Sequence, residues 1–572
     1  LACGQPFFFN FNAMTNQYIA DHVGLVGKLL QLTGENEFKV RAYEKASTAI
    51  ETFEGTIADA IAAGKMPKID GVGASIEKLV KEVVQTGDSQ LLAKLKTEVP
   101  PGVVELSTIR GLGPKKLQVV WKELGITSPQ LLLAACRADK LSKVKGLGGK
   151  LQEGLIQAVE FYLASRDKMR LDAALAAAQT VSAHLQACKA VQAVQVTGPL
   201  RRNMPVNEYV GLVVQTDDAK AVQAYLQQPP LALAGLEDKG EYVFAHTNDG
   251  NRPVRLYFAD AKHAVAKLFS TSTGGEHLEE LLPHLSPLPK TEEEIYERAK
   301  LQYVVPELRE NAGELELARE YELPELLQAA DIKGVLHAHS TYSDGSHTLR
   351  DMADACIKRG HQYLGITDHS QTAAYAGGLS PARVREQHKE IDALNKQYTG
   401  FRIFKGIESD ILPDGRLDYT DDVLAEFDFV IASIHANLNM DEATATERLI
   451  KAVMNPYTSI MGHLTGRLLL ARTGYPVNHT AVLDACAEYG VAVEINASPY
   501  RLDLDWTWVH YATERGVKIA ICPDAHSTQG IDDIRYGVAV GRKGMLTAAQ
   551  TLNALDAAGI DAWFKQRHKR KR

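Results

Sequence analysis

Seven times between residues 331 and 545, a short apolar run ends in a polar side chain able to hold a metal ion. Gly334-Val335-Leu336 leads to His337 and His339, then to Asp344 within Ser343-Asp344-Gly345. Tyr363 to Thr367 leads to Asp368-His369, Ile403 to Ile407 to Glu408, and Phe429 to Ile434 to His435. Ile460-Met461-Gly462 leads to His463, Val491 to Ile495 to Asn496, and Val517 to Cys522 to Asp524 and His526. Helical patterns separate the runs, so the rhythm is that of a parallel β/α barrel. In such a barrel the C-terminal strand ends converge on one face, and residues distant in sequence share a pocket. Six imidazoles and three carboxylates at those ends suit borderline ions such as Zn, Mn or Fe better than Ca. Nine ligands exceed what one ion needs, which implies two or three divalent ions.

Composition excludes several classes. The 572 residues are 45% hydrophobic and 23% charged, a globular balance. No apolar run reaches the roughly 18 residues of a membrane span. Residues 1–13 do not read as a signal peptide and are taken as an extension before Met14. The six cysteines form no CxxC pair, which fits a reduced, cytoplasmic protein. Net charge is -8, so nucleic-acid binding must come from local patches. Residues 101–150 hold nine Lys/Arg against three Asp/Glu. The end, Lys565 to Arg572, is read as a solvated terminus, with a phosphate-attracting arm as the alternative.

Residues 14–170 are expected to be helical, with a recurring hairpin. It appears as Ile69-Asp70-Gly71-Val72-Gly73, Ile109-Arg110-Gly111-Leu112-Gly113 and Val144-Lys145-Gly146-Leu147-Gly148, at spacings of 40 and 35 residues. A glycine turn before a helix lets backbone N–H groups approach phosphate without an intervening Cβ. Gly71, Gly73, Gly111, Gly113, Gly146 and Gly148, with Lys115, Lys116 and Lys150, are therefore candidate contacts to DNA backbone, in the manner of helix-hairpin-helix motifs.

The middle segment, 171–320, carries Thr197-Gly198-Pro199-Leu200-Arg201-Arg202 before a strand at Tyr209 to Val214. This resembles the palm signature of family X DNA polymerases, and Tyr303 to Glu310 is similar to the end of the bacterial thumb. The resemblance implies an α+β nucleotidyltransferase-like palm and thumb. It breaks at the acids: Tyr209 and Gly211 stand where two strand aspartates belong, and Arg255 where the third does. Pro199 replaces the serine that contacts the nucleotide, and Phe269 to Gly275 blurs the nucleotide-binding motif. Two-metal phosphoryl transfer needs carboxylates to hold its ions. Glu208 has the wrong strand parity to substitute, so the palm is expected to grip DNA without polymerising it.

After a linker at 321–330, residues 331–572 closely resemble the PHP (polymerase and histidinol phosphatase) domain, particularly that fused to bacterial family X polymerases. The likeness is dense in Gly406 to Gly415, Gly462 to Arg467, Glu494-Ile495-Asn496 and Pro499 to Leu504. It implies a distorted (β/α)7 barrel and a ligand set. His337, His339, Glu408 and Asp524 would form the catalytic centre and hold one ion. Glu408 would bridge to a second held by His435 and His463, and Asp344, His369 and His526 would hold a third. The implied ions are Mn or Zn, with Mg or Fe as alternatives. Arg467, Arg472 and Arg501 are candidates to clamp substrate phosphate; His347 and His361 lie outside the pattern. The expected activity is metal-dependent 3′–5′ exonuclease or 3′-end processing on gapped or 3′-ended DNA, by a monomer away from membranes. Alternatives are a bifunctional polymerase/exonuclease, a non-catalytic DNA-end scaffold, and a small-molecule phosphatase.

Overall fold

The computed structural model describes residues 16–569 apart from 52, 54, 110, 145, 229–232 and 248–251. The extension at 1–13, Met14, Arg110 and Lys145 of the hairpins, and Arg570 to Arg572 lie outside the described residues. The chain divides into two compact units, Leu1–Arg166 and Asp167–Arg572.

The first unit is helical among its described residues. Helices Asn16–Thr33 and Glu37–Glu51 open it, and Ala74–Thr86, Pro114–Lys122 and Lys150–Ser165 follow the three glycine hairpins. Its core is an aliphatic set at helical spacing, such as Ile19, Val23, Val26 and Leu30, joined by Ile76, Val80 and Val83. Each hairpin contributes to that core: Ile69, Ile109, Leu112 and Leu147 are buried, while Gly71, Gly73, Gly111, Gly113 and Gly146 face outward. The turns are thus anchored from within by one or two apolar residues.

The second unit contains two principal sheets. Strand β1 (Met169–Arg170) pairs antiparallel with β3 (Val206–Asn207). The first principal sheet comprises β2 (Ala193–Thr197), β4 (Val210–Gln215), β5 (Leu233–Asp238), β6 (Val243–Thr247) and β7 (Pro253–Ala259), in the order β2-β4-β7-β6-β5. Only β4 and β7 in it run parallel, with Gly211 opposite Arg255.

All seven apolar runs of the C-terminal half are strands: β8 (Gly334–Leu336), β9 (Tyr363–Ile366), β10 (Arg402–Asp410), β11 (Phe429–Ser433), β12 (Thr458–Met461), β13 (Ala492–Asn496) and β14 (Ile519–Cys522). They pair in parallel in sequence order. Most of their residues are buried, as expected of parallel strands covered on both faces. Just past the strand ends the two edges meet. His339 N–H donates to the Ala525 carbonyl (2.9 Å) and Ala525 N–H to the His337 carbonyl (3.3 Å), nearly closing the barrel. Phe429 fills the interior beside β9 and β10, where a Cβ on Gly365 or Gly406 would stand 2.6 or 2.5 Å from its ring. The C-terminal helix Ala557–Lys569 stacks Phe564 on Phe429 with centroids 4.7 Å apart, and the basic end is helical through Lys569.

Barrel and first sheet are tied by charge as well as packing. From helix Ile534–Lys543, Arg542 pairs with Glu307 (2.5 Å), and buried Lys543 pairs with Glu310 (2.5 Å), which also binds Arg202 (2.7 Å).

Candidate metal centre and nucleic-acid interface

Closure of the barrel brings the ligand-type residues together. His337 and Asp524, on either side of the seam, hold φ of 72° and 53°, a left-handed backbone costly for residues with a Cβ. His337 and His339 lie two residues apart just past β8, and both reach Glu408 and Asp524. Glu408 is the hub. Its Oε1 is 3.4 Å from His337 Nε2, 3.2 Å from His435 Nε2 and 3.0 Å from His463 Nε2, while Oε2 is 3.0 Å from His369 Nδ1 and 3.7 Å from His339 Nε2. Asp524 Oδ1 lies 3.1 Å from His339 Nε2 and 3.4 Å from His337 Nε2. Asp344 stands 3.6 Å from His369 and 3.3 Å from His526. Asp344 and His526 are partly open to solvent, whereas His337, His339, Glu408 and His463 are buried, so access is from the Asp344 side.

The donor set fits divalent metal. Three groups converge closely enough to share an ion: His339, Asp344, His369 and His526; His337, His339 and Asp524; His369, Glu408 and His435. Buried His337 Nε2, His339 Nδ1, His369 Nδ1 and Glu408 Oε2 make no well-oriented hydrogen bond. A buried polar atom without a partner is costly, and a cation among these lone pairs removes that cost. Charge points the same way. Burial, then the neighbouring His526, pushes His339 down to about 3, leaving a neutral imidazole. Burial opposes ionisation of Glu408, but His435, His337 and His369 outweigh it and hold the carboxyl well below its usual range. Burial likewise opposes the charged form of His435, yet Glu408 and Asp410 hold that imidazole at about 9.

Sequence reasoning gave no role to the residues that aim these ligands. Buried Glu494 accepts from His337 Nδ1 (3.1 Å) and from the His463 N–H (3.1 Å). Gly462 leaves it room, since a Cβ there would lie 2.9 Å from its Oε2. Asp410 accepts from His435 Nδ1 (2.5 Å), and Asn496 Nδ2 donates to Asp524 Oδ2 (3.0 Å). The missed signal is strand parity: Glu494 and Asp410 lie two residues from Asn496 and Glu408, on the same faces.

The three arginines are placed differently. Arg501 Nε lies 3.8 Å from Asp524 Oδ2, beside the centre. Arg467 binds Asp505 (2.6 Å) and the carbonyls of Arg501 and Leu502, which shapes the loop carrying Arg501. Arg472 donates to the Gly466 carbonyl (2.7 Å). His347 and His361 stand outside the three converging groups.

At the end of β4 the chemistry is reversed. The Arg255 guanidinium lies over the Tyr209 ring at 3.8 Å and within 4.9 Å of the Tyr242 ring, and Gly211 is its strand neighbour. Glu208 pairs outward with Lys168 (3.8 Å), Asp217 accepts from Gln192 (2.7 Å), and Asp218 caps helix Ala219–Leu226. Arg201 and buried Arg309 are both bidentate on Glu292.

In the first unit, Gly71, Gly111 and Gly146 hold φ of 79°, 89° and 85°, the left-handed turn each hairpin needs. Gly73 and Gly113 cap the following helices. The third hairpin departs by one residue: Gly149 caps its helix, and Gly148 packs on Ser142, where a Cβ would lie 3.0 Å from Cα. Among the described residues, no atom beyond the chain neighbours lies within 4 Å of a Cβ placed on Gly73, Gly113 or Gly146, and Lys115, Lys116 and Lys150 are exposed.

Known proteins agree with this layout. The PHP domain profile matches residues 336–498, a helix-hairpin-helix domain matches 14–89, and a SAM-like helix-hairpin-helix tandem matches 103–160. The chain is 35% identical over 558 residues to the protein named DNA polymerase/3'-5' exonuclease PolX of Bacillus subtilis (strain 168), covering 94% of this chain and 97% of the relative. It is 29% identical over 245 residues to a protein named "Probable phosphatase" from Thermoanaerobacter sp. (strain X514), across 41% of this chain and 95% of the relative. A protein of the same kind of name from Caldanaerobacter subterraneus is 30% identical over 207 residues, 33% of this chain and 74% of its own length. Among the described residues, no helix is long and apolar enough to cross a membrane.

Proposed function

Because the chain belongs to the PolX family, which joins helix-hairpin-helix regions to a PHP domain, we propose that it is a metal-dependent phosphodiesterase acting on DNA 3′ ends. In this reading the first sheet of the second unit and the helical unit serve DNA binding, and the barrel does the chemistry. The observation that carries it is Glu408, a single buried carboxylate reached by five imidazoles, with Asp524 and Asp344 completing the set.

His337, His339, Glu408 and Asp524 would hold one ion, Glu408, His435 and His463 a second, and Asp344, His369 and His526 a third, with Mn or Zn the best matched. Bound there, such ions offset charge on the phosphoryl group and lower the pKa of water toward neutrality. The chain's own contribution is orientation. Glu494 takes the Nδ1 proton of His337, which leaves Nε2 as the lone pair aimed inward. Asp410 does the same for His435. Arg501 stands where a guanidinium can meet a phosphate oxygen, and Asn496 holds Asp524 through a hydrogen bond to Oδ2. The exposed hairpin glycines would grip the DNA backbone without reading sequence.

The first sheet supports no polymerase chemistry in this reading, since a guanidinium occupies the neighbourhood where carboxylates would have to gather cations. The name of the Bacillus subtilis relative favours a second reading, in which synthesis accompanies degradation. A 5′-labelled primer on a gapped template, with Mn and four dNTPs, separates them. Shortening alone is expected; template-dependent lengthening would overturn the reading of Tyr209, Gly211 and Arg255. An unchanged primer with metal bound would leave the DNA-end scaffold or a different phosphoester as substrate.

A further inference from the structure

Beside the metal centre, the loop between β9 and β10 carries an aromatic ring that the fold leaves out. Tyr375 is 73% exposed, yet its ring centroid is 6.3 Å from that of His369. Its hydroxyl lies in the field of Asp410, Glu408 and Asp344 and of the Arg501 guanidinium. An exposed tyrosine on a loose loop would mean little, but this loop is pinned on both flanks. Thr372 donates its N–H to Asp418 (2.7 Å) and its hydroxyl to Asp410 (2.8 Å), and Gln371 Nε2 donates to the Asp418 carbonyl (2.9 Å). On the far side Leu379 N–H donates to the His369 carbonyl (2.8 Å), and a Cβ on Gly378 would stand 2.0 Å from the Ser370 carbonyl oxygen.

A second ring belongs to the same surroundings. Tyr500 is 55% exposed and immediately precedes Arg501, the residue 3.8 Å from Asp524. Its ring is held from one side by the Arg170 guanidinium at 3.8 Å, and Arg170 is itself fixed by Asp172 (3.0 Å). Tyr375 therefore stands beside the metal centre on a loop held at both flanks, and Tyr500 precedes Arg501 with its ring held by Arg170, so less conformational entropy remains to be lost on contact than on a free loop.

We propose that Tyr375 and Tyr500 stack on the bases flanking the phosphodiester that enters the pocket, and so position the strand for cleavage. This rests on the DNA reading above and adds to it the residues that hold the bases. Every base offers a π-face, so an aromatic platform suits an enzyme that must remove successive nucleotides regardless of sequence.

The test compares wild type, Tyr375→Ala and Tyr375→Phe in Mn on three substrates. These are a single-stranded oligonucleotide, the same strand abasic at its terminal or penultimate position, and bis(p-nitrophenyl) phosphate. Tyr375→Ala is expected to raise KM on the intact oligonucleotide about tenfold or more, with Tyr375→Phe close to wild type. On one of the abasic strands wild type and Tyr375→Ala should converge, and on the small diester all three should agree. Equal activity of Tyr375→Ala and wild type on the intact strand would overturn the proposal, as would an equal loss on the small diester. A wild type that hydrolyses the small diester but never shortens DNA would instead bring down the DNA reading, and the stacking proposal with it.

Discussion

The second unit carries two clusters at the ends of parallel strands, and their chemistry is opposite. In the barrel, Glu408, Asp524 and Asp344 sit among imidazoles of which His337 Nε2, His339 Nδ1 and His369 Nδ1 make no well-oriented hydrogen bond. At the β4–β7 pair, Arg255 lies against Tyr209, and the nearby acids either face outward or, like Glu292, are saturated by two guanidiniums. The first cluster gathers carboxylates and imidazole lone pairs that a cation would satisfy; the second holds a guanidinium against aromatic rings, with its buried Nε lacking a hydrogen bond, and among the described residues gathers no carboxylate. The contrast thus lies in charge: one arrangement attracts cations and the other repels them.

The most severe way to break this contrast is Glu408→Gln. Removing the shared charge should lower hydrolysis of bis(p-nitrophenyl) phosphate by about a thousandfold or more. Metal content, read by elemental analysis, should fall with it. Retention of activity within tenfold would mean that the barrel cluster does not depend on attracting cations. The mirror experiment is Glu292→Gln. It leaves Arg201 and buried Arg309 facing an amide, which should cost about 3 kcal/mol in urea unfolding of the second unit, following the general loss when one member of a buried pair is removed.

The same carboxyl sets a pH window. Burial works against its charge, but Arg201 and Arg309 outweigh that and hold Glu292 at about 2. Its stabilisation is therefore complete above the unfolded carboxyl value near 4.5, and is lost as pH falls from there toward 2. Thermal melts should show the wild-type advantage over Glu292→Gln intact at pH 6–8 and shrinking below about pH 4. An advantage that instead shrank on going from pH 6 to 8 would contradict the assignment.

Smaller effects sharpen the comparison. Glu494→Ala removes the group that orients His337 and should cost about 10- to 100-fold in activity or metal affinity, together with some stability, because His337 Nδ1 and the His463 N–H lose a buried acceptor. Arg255→Ala should instead lose about 1 kcal/mol of stability with the cation–π contacts and none of the diesterase activity. A gain of primer extension in that variant would show that the first sheet is nearer to catalysis than its contacts imply.

Much of this was legible in the residues. The seven apolar runs had the length and continuity of buried parallel strands, and the polar residue following each marked the strand end at which a barrel collects its ligands. The glycine hairpins were equally plain, because a left-handed turn restricts residue choice so strongly. Glu494 and Asp410 were not: each is one acid among many until its partner histidine, on another strand, is brought opposite. The third hairpin's one-residue offset was hidden for a similar reason, since Gly148 and Gly149 look alike until Ser142 packs against one of them.

Local spacing and side-chain chemistry therefore determined the barrel and the metal-type ligand set, which follow from strand period and donor type, properties of single segments. The missing acids at Tyr209, Gly211 and Arg255 came instead from the resemblance to the family X palm. Tertiary structure alone decided which carboxylate is the hub, which arginine of three stands beside Asp524, and that Tyr375 is exposed on a loop held at both flanks. Each of those depends on distances between segments far apart in the chain, set by how the sheet curls and closes at Ala338 and Ala525.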